Sequence, residues 1–424
     1  MCIRDRPKSV PVPVGPVGGE PMERQQLPLI SEAGEITAAW MRQALAAGGV
    51  SAAAEIDAVE VERLSGVVNA LGNLYRCSMF AQNGEAASPA SVIVKLPGAN
   101  ALALRFARWM SLHRREYLFY RDVAGQGCVR APALYYGDFD ERSHRFVLVL
   151  EDLGGMEAIR QSAGIGAARA RQAVREIAGL HGRFWEATGD PALSACGDFL
   201  TTGECRIMQT VYLLTLPAAL ERFDDLFSVE ARWLTEEFGY RLPAHFAAVS
   251  AGPRSVVHGD YRADNMLFGG GREELAVIDW QGFGTGCGMY DVAFFFGTSV
   301  SSDLRRRIER DALDEYHAIV LRAGAEGYSR EACWRSYRQN MLGTLMPMVI
   351  GCGALEMSDP EMVSQSRELL SRVLTAIEEL DSWAFLPPRA RFPGDGAGFE
   401  ALSRCGYRAY RLALRMRPSR GSAG

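Results

Sequence analysis

Residues 258–268 read His258-Gly259-Asp260-Tyr261-Arg262-Ala263-Asp264-Asn265-Met266-Leu267-Phe268, and a little further on comes Ala276-Val277-Ile278-Asp279-Trp280. Two short apolar runs separated by the glycines at 269–271 predict a β-hairpin, with Asp260 and Asn265 in the loop before it and Asp279 at a strand end. Transfer of a phosphoryl group asks for this set of oxygens. One carboxylate must orient the attacking hydroxyl and accept its proton, and hard oxygen ligands must hold magnesium against nucleotide phosphates. An isolated Asp-x4-Asn would carry little. Joined to a buried strand running into Asp279, the pattern is specific.

Working toward the N-terminus, the next informative residue is a lysine. The chain has 44 arginines and only two lysines, Lys8 in a Pro/Gly-rich leader and Lys95. Neither lies in Gly-Lys-Ser/Thr, so a Walker-type phosphate loop is excluded, and a Schiff-base enzyme would have Lys95 alone to use. In a chain that writes nearly every cation as Arg, a retained lysine points to a site needing a compact point charge. Ser91-Val92-Ile93-Val94-Lys95 reads as a strand whose alternation puts Ile93 and Lys95 on one face. Glu116 follows in the helical run Arg115-Glu116-Tyr117-Leu118-Phe119-Tyr120, where it is placed either to hold Lys95 for nucleotide phosphates or to pair with an arginine of its own helix. Before this strand, Leu64 to Asn73 is a small turn between two strands. Its Ser65, Gly66 and Asn69 suit a backbone cradle over phosphates, and equally an ordinary hairpin turn.

Taken together, these stretches resemble the kinase-like fold of the aminoglycoside phosphotransferase and choline kinase group, nearest in appearance to its ecdysteroid-kinase-like branch. The resemblance rests on Ser65-Gly66, Val94-Lys95, Glu116, Val149-Leu150-Glu151-Asp152-Leu153, His258-Gly259-Asp260 to Asn265, and Ile278-Asp279-Trp280. It implies an α+β, protein-kinase-like two-lobed fold with a small β-rich N-lobe and a larger helical C-lobe. It further implies Asp260 as catalytic base, Asn265 and Asp279 as magnesium ligands, and Lys95 with Glu116 on the nucleotide phosphates. The backbone from Leu150 to Leu153, including Glu151 and Leu153, would bind adenine; His258 and Asp291 would support the catalytic loop. The cofactors implied are ATP and Mg. The pattern departs from protein kinases: Trp280 stands where they have Phe-Gly, Gly259 replaces their Arg, and no Ala-Pro-Glu segment follows. The expected acceptor is therefore a hydroxyl on a small molecule, and not a protein. A catalytically inactive nucleotide-binding or scaffold protein on the same fold is the rival, disfavoured by the presence of Lys95, Asp260, Asn265 and Asp279.

Composition bounds the rest. Of 424 residues, 48% are apolar and 23% charged, ordinary for a globular chain. A net charge of −5 gives no support for nucleic-acid binding. Nine scattered cysteines without Cys-x-x-Cys read as reduced thiols of a cytoplasmic protein. The uncharged stretch Gln339–Leu355, broken by Pro347, is too short to span a membrane and predicts a kinked buried helix. Phe106 to Val123 predicts one helix. Ala170, Val174, Ile177, His181 and Phe184 fall on one helical stripe, which makes His181 a hydrogen-bonded core residue. Val363 to Leu380 predicts a helix capped by Asp359.

The expected organisation is a disordered leader over 1–28, an N-terminal lobe over 29–150, a helical lobe over 151–388 and an arginine-rich tail over 389–424. The first six residues read as a translated sequencing adapter, with the native start later, at Met22 for example. The tail carries eight arginines against Asp395 and Glu400, with Arg404, Arg408, Arg411 and Arg415 in a stripe. It reads as a solvated helix face or as a contact for an acidic surface.

Overall fold

The computed structural model describes residues 27–388, apart from 65–71, 188, 271–273 and 355–358. Ser65, Gly66, Asn69 and the arginine-rich tail therefore lie outside the described residues. Helix α1 (Ala38–Ala47), capped by Thr37 Oγ1, precedes the sheet. A five-stranded antiparallel sheet follows, in the order β1 (Ile56–Arg63), β2 (Gly72–Ala81), β3 (Ala86–Pro97), β5 (Phe146–Glu151), β4 (Leu134–Phe139). Inserted between β3 and β4 are α2 (Ala101–Trp109) and α3 (Leu112–Leu118), the latter running on into a π-helical turn at Phe119–Val123.

β5 explains how the sheet joins the rest. Its residues Phe146 to Leu150 are all buried, and alternation sends them to two different cores. Val147 and Val149 join Val92, Val94, Leu96 and Trp40 beneath α1, whereas Phe146, Leu148 and Leu150 face the large helical core. Each such side chain contributes roughly 1.5–3 kcal/mol on burial. Lys95 is opposite Leu148 across the β3–β5 ladder, on the face turned away from the α1 core, as alternation predicts.

The helical part begins with the short strand β6 (Glu157–Ala158) and α4 (Ala167–Arg183), then α5 (Thr202–Arg222) and α6 (Val229–Ser250). The stretch that carries Asp260, Asn265 and Asp279 follows, with β7 (Ser255–Val257), β8 (Met266–Phe268), β9 (Leu275–Val277) and β10 (Gly284–Gly286). β8 and β9 pair antiparallel, so the expected hairpin is present. The remaining helices are α7 (Met289–Ser299), α8 (Ser302–Arg322), α9 (Arg330–Gly343), α10 (Leu345–Ala354) and α11 (Pro360–Glu379). Asp359 caps α11 through the N–H groups of Glu361 and Met362, as its sequence signature implies.

Two helical stretches differ from what the sequence predicts. The helix expected over Phe106–Val123 is broken at Met110–Ser111, where Ser111 takes a left-handed conformation with φ 54°. Local propensity favours a continuous helix, but tertiary contacts of Arg115 and Glu116 win. The stretch from Gln339 onward is not one helix kinked at Pro347. It divides between α9 and α10 at Thr344, and Pro347 lies in the first turn of α10, where a helix needs no N–H from it. Among the described residues no helix is long and apolar enough to cross a membrane, and seven cysteines are free thiols.

Candidate active site

β3 delivers Lys95 to the interface between sheet and helices, where it is 3% exposed. Glu116 of α3 places both carboxylate oxygens 2.8 Å from Lys95 Nζ, and Asp279 Oδ1 lies 2.9 Å away. The alternative of an arginine on the Glu116 helix is not taken up. Burial alone would push the Lys95 ammonium down; Asp279 and Glu116 outweigh it and hold it above the ordinary lysine range. Burial pushes the Glu116 carboxyl up, with Lys95 opposing. Burial would also raise Asp279, but Lys95 holds it below the usual carboxylate range, so it is ionised at neutral pH.

Among the described residues Asp279 is one of few non-glycine residues with positive φ, 63°, two residues past the end of β9. Such a backbone is strained and persists only where surrounding contacts impose it. Trp280, next in sequence, supplies one: its ring stacks on Phe119 at 3.6 Å between centroids, and its indole N–H donates to Val277 O at 3.0 Å.

The loop bearing Asp260 is fastened from behind. His258 is fully buried; its Nε2 donates to Ile278 O at 3.0 Å, which leaves Nδ1 to accept the Asp260 N–H at 3.2 Å. Asp291, fully buried at the start of α7, accepts the backbone N–H groups of His258 (2.7 Å) and Gly259 (2.9 Å). Gly259 has φ +82°, and a Cβ there would meet Gly282 O at 2.7 Å, so no other residue fits this turn comfortably. Asn265 donates Nδ2 to Asp260 O (2.8 Å) and Oδ2 (3.0 Å), which leaves its Oδ1 for another partner. Asn265 O accepts the Ile278 N–H at 3.0 Å, so the backbone holds Asn265 beside the Asp279 strand.

Glu151 and Leu153 lie where β5 leaves the sheet. The Glu151 carboxylate is taken by Arg130 at 2.8 Å, and its N–H by Ala133 O; Leu153 O accepts from Met156 N–H. Between them Asp152 is tied to Arg76 and Ser91, each at 2.8 Å.

Several contributors escaped sequence reading. Arg262 places Nε 3.0 Å from Asp260 Oδ2 and reaches Asp264 and Gln161 with Nη1. It lies inside the decisive stretch, and its position between two aspartates was the available signal. Gln161, buried, donates its N–H to Asp264 at 2.7 Å and has no comparable signal. His181 is the hydrogen-bonded core residue expected, but its partner matters. Asp291 accepts from Nε2 at 3.3 Å, and Nδ1 accepts from the Tyr316 hydroxyl at 3.1 Å.

Lys95, Glu116, Asp260, Asn265, Asp279, His258 and Asp291 thus form one connected assembly at the sheet–helix interface, with Glu151 and Leu153 at the linker. A solved structure of an aminoglycoside phosphotransferase candidate from Ralstonia eutropha JMP134 is 17% identical, with a TM-score of 0.48, covering 81% of this chain and 97% of that one. Choline kinase from Cryptosporidium parvum Iowa II is 12% identical, TM-score 0.46, covering 78% and 92%. An ethanolamine kinase of Plasmodium vivax is 13% identical, TM-score 0.44, covering 80% and 86%. No curated protein sequence matches the chain. The model of the phosphotransferase enzyme family (APH) matches residues 82–334, more than half of the sequence. The chain, an α+β fold in which a five-stranded sheet joins a larger set of helices, belongs to the phosphotransferase enzyme family.

Proposed function

We propose that this protein is an ATP- and magnesium-dependent kinase that phosphorylates a hydroxyl group of a small molecule. The observation that carries the reading is the buried Lys95 ammonium shared between Glu116 (2.8 Å) and Asp279 (2.9 Å), a point charge held where two lobes meet. An ammonium positioned by two carboxylates, with two of its three donors hydrogen-bonded to them, suits the α- and β-phosphates of a nucleotide. The linker from Leu150 to Leu153 would meet adenine through backbone groups other than the Glu151 N–H and the Leu153 carbonyl, which Ala133 and Met156 take up.

The donor set fits magnesium. Asn265 has spent its amide nitrogen on Asp260 and retains Oδ1, while Asp279 is ionised and uses Oδ1 on Lys95. Two hard protein oxygens are what this ion takes beside phosphates and water. When bound, magnesium neutralises charge on the β- and γ-phosphate oxygens. Asp260 orients the acceptor hydroxyl and takes its proton as the new O–P bond forms to the γ-phosphorus. The bond from that phosphorus to the bridging oxygen of ADP breaks in line. Arg262, 3.0 Å from Asp260 Oδ2, adds positive charge beside the path of the phosphoryl group. His258 and Asp291 keep the loop in register.

The acceptor is a small alcohol selected by side chains of the helical lobe, in the manner of the ecdysteroid-kinase-like branch that the sequence resembles. Calorimetry with MgATP, followed by a coupled ATP-consumption screen over small alcohols that includes aminoglycosides, tests it. MgATP binding with acceptor-dependent consumption supports the kinase. Binding without consumption, even slow hydrolysis, would favour the inactive nucleotide-binding alternative, and no binding would remove both.

A further inference from the structure

Arg115 and Glu116 are consecutive on α3, yet they serve opposite sides of the cleft. Glu116 reaches Lys95 in the sheet. Arg115, 8% exposed, spends its guanidinium on the helical lobe. Its Nη1 donates to Phe283 O at 2.9 Å, and its Nη2 to Asp198 O at 3.0 Å and to both Glu204 oxygens at 2.8 and 3.0 Å. Its Nε closes on Met110 O at 3.1 Å, the carbonyl left open where α2 breaks from α3.

The surroundings are shaped for this guanidinium. Glu204 is itself fixed by the capping box of α5, accepting the Thr201 N–H at 2.8 Å and the Thr201 hydroxyl at 2.9 Å. A Cβ on Gly284 would sit 2.7 Å from Arg115 Nη1, so the glycine is what makes room. One turn beyond Arg115, Phe119 lies flat on Trp280, the residue after Asp279, with 6° between the ring planes. A buried ion pair of this sort contributes little net stability, because desolvation offsets its attraction. What it does supply is a fixed geometry.

We infer that Arg115 is a positioning residue. By fastening α3 to Phe283, Asp198 and Glu204, it holds Glu116, and through Glu116 the Lys95 ammonium, in the nucleotide-ready arrangement before any nucleotide arrives. This rests on the reading of Lys95 as a phosphate-binding group, although the clamp itself can be tested without nucleotide. Without Arg115, α3 would be free to leave, only a fraction of molecules would be competent, and apparent nucleotide affinity would fall by that fraction.

The lysine economy of the chain gives a direct probe, since Lys8 is the sole other lysine. Acetylation by an N-hydroxysuccinimide ester, followed by mass spectrometry of the peptide that carries Lys95, reads Lys95 with the N-terminal amine as internal reference. Two variants are compared with the parent: Arg115→Gln, and Arg115→Met combined with Glu204→Gln, which leaves no unpaired buried charge if the first fails to fold. The expected result is a Lys95 rate raised about tenfold or more, with amide protection of β2 and β3 unchanged and saturating MgADP returning the rate toward the parent value. An unchanged Lys95 rate in a folded variant overturns the inference. So does a rise accompanied by general loss of sheet protection that MgADP does not reverse, since that marks a merely structural role. If calorimetry finds no MgADP binding to the parent, the nucleotide reading fails, and the nucleotide-free comparison still decides the clamp.

Discussion

His258 and His245 are both wholly buried, but they live in differently built regions. In the cleft, His258 uses both ring nitrogens, Asp291 gathers three N–H groups, and Lys95 binds two carboxylates. In the seam of α6 and α9, His245 is ringed by Phe238 and Phe246 and neither nitrogen has a hydrogen-bond partner; Asn340 Oδ1 on α9 has none either. Burial of polar groups is thus tolerated in two ways. In the cleft, mutual satisfaction fixes a geometry; in the seam, a ring is kept neutral and used as an apolar shape.

The largest way to break the contrast is at Asp260. Asp260→Asn keeps the hydrogen bond from Asn265 but removes the proton acceptor. Turnover should drop about 10²–10⁴-fold, with MgATP affinity by calorimetry close to the parent value; full activity would take Asp260 out of the mechanism. Next in size is Asp291→Ala, which strands the buried N–H groups of His258 and Gly259 and the His181 ring. A loss of roughly 3 kcal/mol is expected, read as a lower urea midpoint. An unchanged midpoint would mean that the cleft is not held by mutual satisfaction.

Lys95→Arg conserves charge but replaces a compact ammonium by a planar fork between two carboxylates. Activity should fall roughly ten- to a hundredfold, equivalent to about 1.4–3 kcal/mol; near-normal kcat/KM would show that the site needs only a cation.

The smallest effect sharpens the other side of the comparison. Burial pushes the His245 imidazole down from 6.5 to about 3. The unfolded chain therefore takes up the proton first as pH falls. His245 adds full stability above pH 6.5 and loses about 1.4 kcal/mol per pH unit between there and pH 3. His245→Phe should unfold within about 1 kcal/mol of the parent at pH 7 and outlast it by about 2 kcal/mol at pH 5. Urea titrations at the two pH values decide the matter, and identical pH dependence in both proteins would show the ring to be hydrated or paired.

The hairpin, the β3 face of Lys95, the Asp359 cap and the hydrogen-bonded role of His181 were legible because each depends on local periodicity or on residue chemistry with a short span. The breaks at Ser111 and Thr344 were not, because local preference there favours continuous helix. Arg262 was visible in the decisive stretch but has no meaning until the loop folds back on itself. Gln161, Arg115 and Glu204 act from 83 to 168 residues away from some of their partners or further, and carry no motif.

By itself the sequence determined which chemistry is available: one compact cation on a strand, a glutamate on the next helix, and the aspartate–asparagine–aspartate set around a hairpin. Those residues are specified by short spacings, which the covalent chain controls directly. Only the tertiary structure decided that Lys95 is shared by Glu116 and Asp279, that Asp291 grips the loop from behind, and that Arg115 anchors α3 to the helical lobe. Buried charges need partners wherever the fold brings them, and those partners come from elements whose meeting no local pattern encodes.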